Sequence, residues 1–204
     1  MPLTPDDKQK ISRTYQEKLK EFGSNSAQSL HWQNEFTQFT RFKILSQISP
    51  LNGKSILDVG CGLGDLYLYL SAKFKSIKYT GIDIVPEMIA AAKQKYPGVD
   101  FQNKEIWDFE TKSFDYVFAS GIFSHRIADF RKKYFEILRQ LYEVTNEGVA
   151  FNMLNNAQHP EDDLFVAYNP EEVLEYCETF AAKAELVQNY LPHDFTIFLY
   201  KGSL

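Results

Sequence analysis

Residues Ser55 to Leu70 read SILDVGCGLGDLYLYL, a run that few architectures accommodate. The apolar segment Ile56-Leu57-Asp58-Val59 leads into the glycine cluster Gly60-Cys61-Gly62-Leu63-Gly64. Asp65 follows, and then an apolar pattern. Such a segment is a buried strand, a tight turn and the opening of a helix. Glycines at alternate positions let the backbone turn sharply and come close to a bound molecule, because no Cβ intervenes. A second apolar strand, Tyr79-Thr80-Gly81-Ile82, ends in Asp83.

An acid about twenty residues beyond a glycine turn is where nucleotide-binding α/β folds grip a ribose diol. The dinucleotide pattern G-x-G-x-x-G would need a small residue at position 65, where a pyrophosphate sits; this chain has Asp65. A carboxylate suits a helix N-terminus but repels phosphate there. The implied ligand is a nucleoside without phosphates. Asp58-x-Gly60-x-Gly62-x-Gly64 with Asp83 resembles the cofactor motifs of class I S-adenosylmethionine-dependent methyltransferases. That resemblance covers nearly the whole chain from Gly53 onward. It implies S-adenosylmethionine as cofactor and S-adenosylhomocysteine as product.

The 204 residues suffice for one domain with a real core. A net charge of -5 counts against nonspecific nucleic-acid binding, which needs a basic field. The aromatic share of 15% fits either core packing or an aromatic-lined pocket. Cys61 lies in the glycine turn and Cys177 in an expected helix, so neither a disulfide framework nor a zinc site is indicated. The start, MPLTPDDKQK, lacks the apolar core of a signal peptide, and no apolar stretch is long enough for a bilayer. These features predict a soluble cytoplasmic protein with no DNA or membrane partner; they leave the oligomeric state open.

In chain order, Thr4 to Phe22 carries Ile11, Tyr15, Leu19 and Phe22 on one helical stripe, and Thr4-Pro5-Asp6-Asp7 is a start signal. A second helix is expected over His31 to Ile48, with Trp32, Phe36, Phe39, Phe42 and Leu45 on one side. Helices follow from Asp65 to Lys75 and from Pro86 to Tyr96. Strands are expected at Val99 to Asn103, Ser113 to Ser120 and Gly148 to Met153. The clearest helix spans Arg126 to Thr145, with Arg126, Arg131, Lys132, Lys133 and Arg139 read as its solvated face. Asn169-Pro170-Glu171-Glu172 starts a last helix through Phe180. Ala184 to Leu191 and Asp194 to Lys201 are joined too closely for a crossover, so they must be antiparallel. The fold class is therefore α/β, a doubly wound, mostly parallel seven-stranded sheet with a C-terminal antiparallel hairpin and two N-terminal helices before it. The chain divides into an N-terminal helical lid, 1–52, and an S-adenosylmethionine-binding domain, 53–204.

Ligands of open α/β sheets lie beyond the carboxyl ends of the strands, which gathers Asp58 to Gly64, Asp83, the segment after the third strand, and Ser120 to His125. On the resemblance, Asp83 takes the ribose hydroxyls. Glu105 meets the adenine amino group, with Asp108 as rival, and Ile106 lies beside the ring. Ile84 and Met88 either pack on the adenine faces or belong to a helix core. Asp58 orders the glycine loop or attracts the sulfonium. Ser120 joins the cofactor set, and Arg41 on the second helix is the cation for the cofactor's carboxylate. His125 is the candidate general base, because an imidazole titrates near neutral pH. His31, Trp32, Tyr15, Asn152, Asn155, Tyr168 and His193 are candidates for an acceptor pocket.

The segment Ser120-Gly121-Ile122-Phe123 stands where methyltransferases of nucleobase amines and glutamine amides carry Asp/Asn-Pro-Pro-Tyr, which counts against those substrates. No cluster has metal-ligand spacing. The expected activity is methyl transfer to a small-molecule acceptor by in-line displacement. The alternatives are a protein or RNA substrate, or a nucleotide-binding protein without catalysis.

Overall fold

A computed structural model describes residues 2–24, 26–30, 34–111, 113–159 and 162–202. Seven strands form one sheet: β1 (Ser55–Val59), β2 (Lys78–Asp83), β3 (Asp100–Asn103), β4 (Phe114–Ala119), β5 (Thr145–Leu154), β6 (Lys183–Val187) and β7 (Asp194–Tyr200). Their order is β3-β2-β1-β4-β5-β7-β6. β1 pairs parallel with both β2 and β4, while β7 runs antiparallel to β5 and β6. The expected hairpin is therefore present, and the strand order reverses between β1 and β4. Val59 sits opposite both Ile82 and Ala119, so three strands end level at that crevice.

Side-chain alternation along the strands builds two cores. Leu57, Val59, Val117, Ala119, Val149 and Phe151 face one side, where α5 (Phe130–Val144) and α6 (Pro170–Glu178) cover them. Ile56, Tyr79, Phe101, Tyr116, Phe118 and Ala150 face the other, with α2 (Glu35–Leu45), α3 (Asp65–Lys73) and α4 (Pro86–Lys95). Central strands buried on both faces read as near-continuous apolar runs, as these do.

The first helix, α1 (Pro5–Phe22), has the start its sequence announces. Thr4 Oγ1 accepts the Asp7 N–H at 3.2 Å, and Asp7 Oδ2 accepts the Thr4 N–H at 2.9 Å, a reciprocal cap. The helix lies across the carboxyl ends of the strands, from α5 to α4. At one end Asp7 pairs with Lys133 at 2.5 Å, both buried, and Lys10 Nζ donates to the Arg126 carbonyl at 2.8 Å. Lys8, next to Asp7, pairs with Glu105, and further along Gln16 Nε2 donates to Glu87 at 2.9 Å. Lys133 therefore leaves the expected solvated face: only 3% of its side chain is exposed, because Asp7 offers it a buried counter-charge.

The second helix differs from its expected stripe. Phe42 and Leu45 are buried, but Phe36 is 73% exposed and Phe39 37%. The inward face also carries Gln38 and Arg41, ahead of those apolar anchors. Each has an acid waiting for it across the packing surface, Asp65 for Gln38 and Asp194 for Arg41. The part of the expected helix that includes His31 and Trp32 lies outside the described residues. No described helix is long and apolar enough to cross a membrane.

Candidate active site

The carboxyl ends of β1, β2 and β4, with the segments that follow β3 and β4, open onto one cavity of about 1100 Å³, its mouth included. Its floor is the glycine turn. Gly60, Gly62 and Gly64 have φ of 73°, 52° and 79°, the left-handed region that glycine enters without steric cost. The turn is fastened to the end of β2: Gly60 and Cys61 both donate their N–H to the Ile82 carbonyl, at 2.8 and 2.9 Å. A Cβ on Gly60 would run into Cγ2 of Ile122, and one on Gly62 would meet Leu30 Cδ2 at 2.8 Å. The turn must be bare for these neighbours to reach it.

Asp83 stands at the end of β2, partly exposed to the cavity. Its Oδ2 accepts the Gly62 N–H and its Oδ1 the Val85 N–H, both at 2.9 Å. Burial pushes the carboxyl up to about 6, against the pull of those N–H groups. Asp58, 2% exposed, accepts the Tyr79 hydroxyl at 2.5 Å. Burial raises it to about 7, the Tyr79 hydrogen bond opposes the rise, and the charges of Asp83 and Asp65 add to it. Asp65, in the first turn of α3, pairs with Lys95 Nζ at 2.6 Å and accepts Gln38 Nε2 at 3.1 Å. Its charge is thus matched, which weakens the repulsion expected between it and a phosphate.

Beyond β3, Glu105 and Ile106 line the cavity. Asp108 does not; its carboxylate accepts the Glu105 N–H at 2.9 Å. Ile84 and Met88 line the same wall. Ser120 and His125 lie on the loop after β4, both at the cavity. Asn152 on β5 holds that loop, its Oδ1 accepting the Gly121 N–H at 2.8 Å and its Nδ2 lying 3.3 Å from Ser120 Oγ. His125 is buried, and its carbonyl accepts the Tyr134 hydroxyl at 2.8 Å. The edge of Tyr15 from α1 meets the His125 ring at 5.1 Å between centroids. Burial raises the Tyr15 hydroxyl above its ordinary range, and the charge of Asp83 raises it further.

One expected member stands apart. Arg41 does not line this cavity; it pairs with Asp194 at 2.5 Å beside a second, smaller space of about 250 Å³ next to Asn152 and Gly121. Burial raises the Asp194 carboxyl while Arg41 pulls it down. Of the acceptor candidates, Tyr15 reaches the cavity. Asn152 sits behind Ser120, and Asn155 accepts the Ala157 N–H at 3.0 Å. The Tyr168 hydroxyl donates to the Phe123 carbonyl at 2.9 Å, deep in the core, and His193 lies 5.8 Å from His159 between ring centroids. His31 and Trp32 fall outside the described residues. Reading the sequence misses Leu30, Gln38 and Trp107, all at the cavity. Gln38 carried one usable signal, a polar residue one turn ahead of two anchors, Phe42 and Leu45.

Residues 56–148 match the family model described as a methyltransferase domain. The methyltransferase candidate Rv1506c of Mycobacterium tuberculosis is 33% identical over 160 residues, which is 73% of this chain and 94% of that protein. The trans-aconitate 2-methyltransferase of Klebsiella pneumoniae is 30% identical over 122 residues, covering 59% of this chain and 47% of its own length. Among solved structures, the N-methyltransferase NodS from Bradyrhizobium japonicum, in complex with S-adenosyl-L-homocysteine, superposes with a TM-score of 0.65. That match covers 92% of this chain and 97% of NodS at 18% identity, a likeness of fold.

Proposed function

The chain belongs to the class I S-adenosylmethionine-dependent methyltransferases, and we propose that it transfers a methyl group from S-adenosylmethionine to a small-molecule acceptor by in-line displacement. The observation that carries this reading is a single cavity running from the glycine turn, Asp83 and Glu105 to Tyr15 and His125 under α1. A roofed cavity suits a small acceptor; an open groove would suit a protein or RNA chain. When bound, the cofactor supplies a methyl group already activated on a sulfonium.

The residues fit such a group. The left-handed glycines leave room above the turn, and the Asp83 carboxylate has lone pairs left for a ribose diol after accepting two N–H groups. Glu105 supports recognition of the adenine amino group, with Ile84, Met88 and Ile106 as apolar walls for the ring and Ser120 beside them. Asp58 and Asp83 add negative potential where a sulfonium cation belongs. Arg41 is not part of this set, since it does not line the cavity and pairs with Asp194 instead.

Catalysis then rests chiefly on position and dryness. Holding two reacting groups in line is worth on the order of 10⁵ M or more in effective concentration. The lid is α1 with the residue that leads into it: Leu3, Ile11 and Tyr15 cover the cavity, and α2, packed on the sheet, adds Gln38 and Phe42 at the edge, so that water is kept out. His125 accepts the acceptor's proton where the acceptor must lose one as it attacks. Calorimetric titration with S-adenosylhomocysteine tests the reading; a protein that binds neither it nor S-adenosylmethionine is not this enzyme.

A further inference from the structure

Resting on that methyltransferase reading, we propose that the acceptor is an uncharged, largely apolar molecule seated between α1 and the β4–α5 loop. The part of the cavity that the cofactor residues leave over is walled by Leu3, Ile11, Trp107, Ile122, Tyr134 and Ile137. Ile11, Tyr134 and Ile137 are buried, and the Tyr134 hydroxyl is turned to the His125 carbonyl, so this wall shows carbon to the space. Its polar groups are the Tyr15 hydroxyl and the His125 imidazole, edge to face.

Each acid around the cavity has a hydrogen-bonding partner, and two of the four have a lysine. Asp65 has Lys95, Glu105 has Lys8, Asp58 has the Tyr79 hydroxyl, and Asp83 has two backbone N–H groups. The cations nearby are engaged in the same way, Lys133 by Asp7 and Arg41 by Asp194. Lys104, at the rim, lies with its ammonium 5.3 Å from the centre of the Phe109 ring. Among the described residues, then, an entering carboxylate or phosphate meets four acids, and the one lysine that lines the cavity, Lys104, stands at its exposed rim against Phe109 and not at the apolar wall. An anion stripped of water without a counter-charge is strongly disfavoured, whereas an apolar group gains from leaving water. An ammonium acceptor fares no better, because it would stand beside the cofactor's sulfonium, a like charge, while Asp65 and Glu105 are already paired with lysines.

The test is calorimetric titration of the full chain, saturated with S-adenosylhomocysteine, with three matched probes: para-butylphenol, para-butylbenzamide and para-butylbenzoate. The two neutral compounds are expected to bind, and the benzoate at least tenfold more weakly than the benzamide. Benzoate binding as tight as benzamide binding overturns the proposal, and so does the failure of all three to bind. Ile11→Lys brings an ammonium to the wall and is expected to erase the tenfold preference. If that variant still takes S-adenosylhomocysteine and keeps the preference, the probes do not sit at this wall and the proposal falls. A protein that never takes S-adenosylhomocysteine loses the methyltransferase reading itself; one that takes it and prefers the benzoate loses only the acceptor class.

Discussion

Asp83 and Asp58 lie on neighbouring strands and line the same crevice, and their environments ask different things of them. Asp83 is at once tied to the turn by the Gly62 N–H and open to the cavity, so its charge is held where a diol would meet it. Asp83→Ala should weaken S-adenosylhomocysteine binding by more than tenfold, about 1.4 kcal/mol or more, in a calorimetric titration. Because the wild-type carboxyl is raised to about 6, affinity should also fall as the pH drops through that value, and the alanine variant should lack this step. An unchanged dissociation constant would contradict the ribose assignment. Asp58 is sealed in, and its pKa is raised to about 7 from an ordinary value of 3.8. Between those two values the native state binds more protons than the unfolded one, so its contribution to stability declines as pH rises and is level above about 7. The slope is at most about 1.4 kcal/mol per pH unit. Asp58→Asn keeps an acceptor for the Tyr79 hydroxyl and removes the titration. Its stability relative to wild type, from urea unfolding, should therefore rise across that window; a constant difference means that the two states hold this proton alike.

At the scale of elements, what could be read in advance and what could not separates cleanly by range. The cap at Thr4, the Ile11–Tyr15 stripe, the glycine turn and the closing hairpin are local patterns, and each appears in place. What failed to show was pairing between distant elements. Lys133 belongs by periodicity to a basic helix face, and nothing within its own helix reveals that Asp7, 126 positions away, will bury it. Arg41 likewise had a role assigned from its helix alone, while its partner Asp194 begins β7. Phe36 continued an apolar stripe that the packing surface does not use, since Gln38 and Arg41 face inward instead. The Asp7–Lys133 pair lends itself to measurement. Truncating one partner of a buried pair leaves the other charge unmatched, at a cost of about 3–5 kcal/mol, whereas replacing both with apolar residues is often neutral. Asp7→Ala should thus destabilise the protein by about 3 kcal/mol in urea unfolding, and Asp7→Leu with Lys133→Met should recover most of that loss. If the double variant is as unstable as the single one, the pair does more than balance its own desolvation.

For the molecule as a whole, the arrangement of α1 ties ligand binding to the order of the N-terminal segment. The helix bridges α5 and α4 over the strand ends through Asp7–Lys133 and Gln16–Glu87, and its Ile11 and Tyr15, with Leu3 just before it, form part of the cavity wall. Whatever fills the cavity therefore touches α1 and the sheet together, and moving α1 away would lose those contacts. A ligand at 100 times its dissociation constant adds about 2.7 kcal/mol to the unfolding free energy. For a domain of this size that is a rise of roughly 5–10 °C in melting temperature. S-adenosylhomocysteine should produce that shift, and it should also slow hydrogen exchange at the α1 amides. The two readouts separate the two halves of the idea. A melting rise with unchanged α1 exchange leaves the cofactor bound under a helix that takes no part in holding it, and the lid assignment goes. Neither effect appearing at saturating concentration removes the cofactor assignment, because a filled cavity cannot leave both its floor and its roof as they were.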